Sequence, residues 1–412
     1  MRKKLLALSL LFCSSIAWSV EETDITISGW GGNDVVVVNK LIKEVLAEDL
    51  TKEKLNIKYM AVEGDFSQFI TNALSSGTAP DIFYFDVLLS NALINSGKVA
   101  ANNQQLTSVS NSIIPVLNEA FSLKGKQYGI PKDFNTIALQ FNKDIFDDAG
   151  VAYPTNDDSW DDLRNKLLAI KKTLPNETEG ICVMPDYARF APFALATGWK
   201  PLNQNGKTVL DEKFERAFNF YTDLVIKDKV GIMAADLGQS WGGGCFGTEK
   251  TAVALEGNWI SGYLRDKAPN LAYGSTLLPK DPLSGERGNL LFTVAWGVNA
   301  ESKNIEAAQR AVELLTSQKA QEWVLTSGLA LPSREALGNT DFFTTKTAES
   351  ELAKNVFDGA LNGHVKPYSF GHFGASWATP INEALTSVLL GQLSQKEAIK
   401  MAQDKYTALE SK

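Results

Sequence analysis

Apolar residues along this chain recur with two alternating periods. Asp24-Ile-Thr-Ile-Ser28 places isoleucine at every second position and predicts a strand, which Gly29-Trp30-Gly31-Gly32-Asn33 ends. Val38, Leu41, Ile42, Val45 and Leu46 then fall at helical spacing and predict a helix over 35–50. A second strand follows over 55–59, and a second helix over 65–74 carries Phe66, Phe69 and Ile70 on one face. Ala79-Pro80-Asp81 leads into a buried strand over 82–85. The same rhythm predicts strands over 136–141, 181–184, 251–255 and 292–298. It predicts helices over 160–174, 305–315, 320–325, 380–390 and 395–409. The helix over 160–174 has Asp early and Lys late, as the helix dipole favours. Strands alternating with helices imply an α/β fold whose parallel sheets are covered on both faces. There is no tandem repeat and no Pro/Gly/Ser-rich linker, so continuous strands are expected to join the lobes around a cleft.

A length of 412 residues exceeds one ordinary core and implies two domains. The formal charge is −8, which argues against nucleic acid or an anionic membrane surface as the main partner. The first residues read as an export signal. Arg2, Lys3 and Lys4 precede thirteen mostly apolar residues over 5–17, and Ala17-Trp18-Ser19 offers small residues for cleavage near Ser19. Thirteen residues are too few to cross a hydrocarbon core of ~30 Å. A lipid anchor at Cys13 is the alternative, but the large Phe12 before it is unfavourable. Removing 1–19 takes away three positive charges and no negative ones, which moves −8 to −11. No later stretch is apolar for eighteen residues. A soluble periplasmic protein is expected, and a monomer.

Cys182 and Cys245 remain after cleavage, and export favours a disulfide between them over two buried thiols. No CxxC or Cys/His cluster is present, so neither a metal nor any cofactor is expected. Four segments carry a family resemblance. They are Ser75-Ser-Gly-Thr-Ala-Pro-Asp-Ile-Phe-Tyr-Phe-Asp86, Tyr128-Gly-Ile-Pro131 with Leu139-Gln-Phe-Asn-Lys-Asp-Ile-Phe-Asp-Asp-Ala-Gly150, Glu249-Lys-Thr-Ala-Val-Ala-Leu-Glu-Gly-Asn-Trp259, and Ser302-Lys-Asn-Ile-Glu-Ala-Ala308 with Leu329-Ala-Leu-Pro-Ser333. In this order they resemble the substrate-binding proteins of ABC-type sugar importers, extracellular solute-binding protein family 1, which includes maltose-binding protein. The resemblance implies a periplasmic-binding-protein fold. Two α/β lobes would be joined by about three hinge crossings, near 132–135, 290–294 and 329–333, with a ligand cleft between them. The first lobe would hold 20–132 and 295–328, and the second 133–290 and 333–412. It also implies a sugar ligand, permease subunits of an ABC importer as partners, and no catalysis.

A pyranose presents apolar C–H faces and a rim of hydroxyls, which suit aromatic rings and polar side chains respectively. Eight tryptophans remain once Trp18 is removed from the nine. Trp30 opens the Gly-rich loop after the first strand, where α/β folds face their ligands. By resemblance, Asp86, Trp259 and Trp377 sit at ligand-contacting positions, with Glu256 beside Trp259 and Phe373 beside Trp377. Asp133 and Asn135 lie at the first crossing, and Trp296 follows the second. Tyr187 and Arg189 follow a strand, and Trp241 lies in a Gly-rich loop near Cys245. Packing competes with ligand contact at Trp30 and Trp296, and helix capping does so at Asp86. Phe85 stands where some relatives carry Trp, and no Gly-Gly precedes Trp296, so the sugar's identity stays open. Two other classes remain. A polyamine-binding protein would also use acids with aromatics. A secreted glycoside hydrolase would need two carboxylates ~5–9.5 Å apart, and no motif surrounds any acid here.

Overall fold

The computed structural model describes residues 22–31, 33–62, 66–174, 178–327 and 330–410. The export signal and Cys13 lie outside them, as does Leu329 of the third expected crossing. In chain order the strands begin with β1 (Thr23–Trp30), β2 (Leu55–Val62) and β3 (Ile82–Asp86). A short hairpin follows, β4 (Ser122–Leu123) with β5 (Lys126–Gln127), and then β6 (Ile130–Asn135) and β7 (Ala138–Asn142). The rest are β8 (Glu179–Val183), β9 (Gly231–Met233), β10 (Thr251–Glu256), β11 (Tyr273–Thr276), β12 (Gly288–Val298) and β13 (His364–Pro367).

Two main sheets result. The first has the order β13-β12-β3-β1-β2, with β6 also paired to β12, and the second has the order β11-β7-β10-β8-β9. Helices cover both sheets, as the alternating pattern requires. The sheets are mixed, however, and the expectation of parallel sheets is corrected. β1 runs parallel to β2 and β3, but β12 runs antiparallel to β3 and β6. β7 is likewise antiparallel to β10 and β11. The reason is the connectivity. β12 follows β11 of the second sheet, so it enters the first sheet at the end where β3 leaves, pairing Val294 with Asp86 and Val298 with Ile82.

Several helices start where side chains can satisfy their free N–H groups. The helix Trp160–Thr173 opens on a capping box between Ser159 and Asp162 and ends near Lys171 and Lys172. The helix Gln395–Leu409 opens on a capping box between Ser394 and Glu397. The helix expected over 35–50 is three pieces, Asn33–Lys40, a wide π-helical turn at Leu41–Val45, and Ala47–Glu53. Helices Tyr187–Ala196, Glu212–Ile226, Ile260–Lys267 and Ala348–Gly359 were not expected. The first of them is buried on nearly every side, so it shows no amphipathic period.

Two apolar cores form. One packs Ile25, Ile27, Phe83, Phe85 and Val312 about the first sheet. The other packs Phe146, Phe190, Phe218, Trp377 and Tyr406 on the second. Cys182 on β8 and Cys245 on the helix Gly242–Phe246 form a disulfide with Cα atoms 6.3 Å apart. Closing a loop of 63 residues stabilises the fold by roughly 4 kcal/mol in the chain-entropy account.

The segments that pass between sheets are laced together by buried polar side chains. Asn289 on β12 accepts from Ile137 N at 3.0 Å and donates to Ile137 O at 2.8 Å, which holds the link between β6 and β7 against β12. Thr293 Oγ1 donates to Asp133 O at 2.7 Å. Ser333 Oγ donates to Pro131 O at 2.6 Å, and Gln321 joins Ser333 N to Lys132 O at 2.7 and 2.8 Å. Phe134 N donates to Leu331 O at 3.1 Å. Three chain segments therefore meet side by side where the two sheets adjoin.

Candidate functional site

At this junction lies a cavity of about 330 Å³. Its floor is set by strand register. Val294 of β12 pairs with Asp86 of β3 on one side and with Asp133 of β6 on the other. Directly opposed residues share a face, so both carboxylates and Val294 point into the cavity. A bulge falls here, because Val294 pairs with Asp133 while Ala295 pairs with Pro131. Lys132 is the extra residue, and the bulge lets two consecutive side chains, Lys132 and Asp133, reach the same cavity.

The charges on this floor are strained by burial. Burial pushes the Asp133 carboxyl above its ordinary pKa, although the Lys132 ammonium, ion-paired with it, pulls the other way. Lys132 Nζ also lies 4.5 Å from the centre of the Tyr84 ring. Burial likewise raises Asp86, which is opposed by a hydrogen bond from Leu88 N at 2.7 Å and reinforced by the Asp133 charge.

The end of β1 supplies Trp30, and the helix Asn33–Lys40 supplies Asp34. Trp30 is 36% exposed, and its ring meets Tyr84 edge-on at 5.1 Å. Tyr59 Oη donates to Trp30 O at 2.6 Å, and Tyr84 Oη donates to Asp34 Oδ1 at 2.6 Å. Gly29 permits this arrangement, since a Cβ there would stand 2.5 Å from Tyr59 Oη and 2.8 Å from the Tyr84 ring. An aromatic wall comes from the turn after β10, from β12 and from the segment after β13. Trp259 meets Phe292 edge-on at 5.4 Å, and Phe292 meets Tyr368 at 5.2 Å. Asn135 Oδ1 accepts from Asn258 N at 2.9 Å and so anchors the turn that presents Trp259.

Of the residues expected from sequence, Trp30, Asp86, Asp133, Asn135 and Trp259 meet in this one cavity. Glu256 and Arg189 lie behind Trp259. Tyr187 is fully buried behind Tyr368, with its ring near-parallel at 6.3 Å. Trp296 is buried beside Tyr84 at 5.1 Å and borders only a small void of about 20 Å³ next to the cavity. Trp377 is a core residue, stacked on Phe370 at 4.4 Å, and its Nε1 donates to Thr208 Oγ1 at 2.8 Å. Phe373 is partly buried against the same core. Trp241 leans on Tyr263 at 5.0 Å and covers Gly243. These last five do not line the cavity, because packing partners already take up their rings. Sequence reasoning missed Asp34, Lys132, Phe292 and Tyr368. Asp34 carried a usable signal, as the acid that follows the Gly-rich loop.

Among the described residues no group of His, Cys, Asp and Glu could hold a metal, and no helix is long and apolar enough to cross a membrane. A family model for bacterial extracellular solute-binding proteins matches residues 36–322. An arabinooligosaccharide-binding protein of Halalkalibacterium halodurans is 23% identical over 379 residues, 85% of this chain and 82% of that one. A Brucella abortus protein described as a binding protein is 26% identical over 200 residues. That is 47% of each chain, so this chain spans about half the length of that relative in the match. An ABC substrate-binding protein from Listeria monocytogenes, solved in complex with cycloalternan, superposes with a TM-score of 0.78 at 20% identity. The match covers 95% of this chain and 100% of that one, and it shows the fold, two α/β lobes about a cleft. With residues 36–322 matched, well over half its length, the chain belongs to the bacterial extracellular solute-binding proteins.

Proposed function

We propose that this protein binds a mono- or oligosaccharide in the cavity between its lobes and delivers it to the permease of an ABC importer. It is exported to the periplasm by its first nineteen or so residues, acts as a monomer and performs no chemistry on its ligand. The lobes, 20–132 with 295–328 and 133–290 with 333–412, close about the junction. The observation that carries this reading is the pairing of Trp30 and Trp259 with a carboxylate floor in one cavity. Indole faces suit the C–H faces of a pyranose, while Asp86, Asp133 and Asn135 suit its hydroxyls. Relatives and structural neighbours named for oligosaccharides support it.

A second reading has one observation in its favour. Three carboxylates line the cavity, Asp34, Asp86 and Asp133, against the single ammonium of Lys132. That balance suits a cation such as a polyamine. A thermal-shift panel separates the two. It should contain glucose, maltose, maltotetraose, arabinooligosaccharides and cycloalternan beside putrescine and spermidine. At one hundred times its Kd a ligand adds about 2.7 kcal/mol of stability. A sugar is expected to raise the melting temperature. A shift with polyamines alone would replace the sugar reading.

Two tryptophans should respond in opposite ways. Trp259→Ala removes a cavity wall and is expected to weaken binding by roughly 2–4 kcal/mol, as anchor residues do. Trp377→Ala opens the core and is expected to cost roughly 3–5 kcal/mol of stability, with the affinity of the folded fraction unchanged. Calorimetry and thermal melting on both variants would expose a reversed pattern.

Asp86 should trade stability for binding. Its pKa is raised above 3.8, so its neutral form is the one the fold favours. The penalty on the ionised form is absent below the unfolded pKa of 3.8 and complete once pH exceeds the folded pKa. Asp86→Asn is therefore expected to raise the ligand-free melting temperature at pH 7, by roughly 1–3 °C, and the gain should shrink towards pH 4. The same change should weaken ligand binding about tenfold or more, through loss of a charged hydrogen-bond acceptor. A variant that melts lower than its parent at pH 7 would contradict the burial account.

A further inference from the structure

Glu256, fully buried, and Arg189, half-buried, are oppositely charged and lie behind the Trp259 wall, and neither lines the cavity. Glu256 is the last residue of β10. Gln140 on the neighbouring β7 clasps its main chain. Glu256 N donates to Gln140 Oε1 at 3.0 Å, and Gln140 Nε2 donates to Glu256 O at 2.9 Å. One carboxylate oxygen, Oε2, then receives two donors, Arg189 Nη2 at 2.6 Å and Trp259 Nε1 at 2.7 Å. Nε1–H is the only polar group of an indole, so the ring's one hydrogen bond is spent here, on a charged acceptor. The Arg189 guanidinium lies 5.9 Å from the Trp259 ring centre. Gly257 lets the ring fold back over the backbone, since a Cβ there would stand 2.5 Å from it. The other oxygen, Oε1, abuts Gly242, where a Cβ would come within 2.4 Å. Gly242 opens the helix that carries Cys245, so the disulfide ties the support of this carboxylate to β8.

We propose that Glu256 and Arg189 are positioning residues. They fix the plane of the Trp259 indole and do not themselves touch the ligand. A stacking wall selects a sugar face only when its plane is held. A ring that must be immobilised on binding loses roughly 3- to 10-fold in affinity.

The affinity part of the test rests on the sugar reading, and the spectroscopic part does not. In ¹⁵N-labelled, ligand-free protein, the Trp259 indole resonance is the one missing from Trp259→Phe. Glu256→Gln is expected to move that resonance more than any other indole signal. If Glu256→Gln fails to fold, Glu256→Met combined with Arg189→Met removes both buried charges and leaves only the solvent-accessible Asp186 without its Arg189 partner. That double variant should shift the same resonance. Calorimetry with maltotetraose and with arabinooligosaccharides then reads Glu256→Gln alone and in the Trp259→Phe background. The loss of about 3- to 10-fold should vanish in that background, because both changes act on one ring. Additive losses would place Glu256 on the ligand and overturn the proposal. An unmoved Trp259 resonance would overturn it as well. A moved resonance beside silent titrations would support the brace and count against the sugar reading alone.

Discussion

One strand serves both halves of this molecule. β12 pairs with β3 and with β6 around the same residue, Val294, and with β13 at its other end. From Val294 to Trp296 it is paired to a strand on both edges, so it cannot shift by one residue without turning every side chain to the opposite face. The cavity depends on that register. It places Asp86 and Asp133 on either side of Val294 and sets Phe292 against Trp259 and Tyr368. The lacing by Asn289, Thr293, Gln321 and Ser333 satisfies buried backbone groups of the passing segments. The proposed closure requires the two lobes to move about this junction while the floor between them keeps its geometry.

The floor is costly to keep. Two carboxylates flank Val294, and burial raises both above the ordinary range. Lys132 offsets the cost at Asp133, and no ion pair does so at Asp86 among the described residues. A fold selected only for stability would fill these positions with apolar residues, as the neighbouring Val294 shows. The same logic holds behind Trp259, where Glu256 is charged, fully buried and held by Arg189. Polar groups retained at such expense are where function concentrates.

Much of this was legible in the sequence, for reasons that differ by element. The helix Gln395–Leu409 matches the expected bounds, and in the structure Ser394 and Glu397 form the capping box that fixes its start. The strands were read from alternation and from short apolar runs bounded by glycine. The helix Tyr187–Ala196 was not read, because Pro192 lies within it and burial on all sides erases the period. Strand direction was misread, since alternation of strands and helices says nothing about a strand that returns from the other lobe. At the site, the Gly-rich loop after the first strand pointed to Trp30, and the family resemblance pointed to Asp86 and Trp259. Lys132 was missed because it neighbours Asp133, and only the bulge aims both side chains into one cavity. Trp296 and Trp377 each lie within three residues of a glycine, as Trp259 does. Sequence spacing does not tell a ring that faces a cavity from one that faces a core.

The central claim is that two lobes close on a sugar about the β12 junction. Small-angle scattering tests it most directly, on protein alone and with a saturating sugar whose binding calorimetry has established. Closure predicts a smaller radius of gyration with sugar bound. An unchanged radius at full occupancy would contradict the account and point to a site that is rigid in its present form.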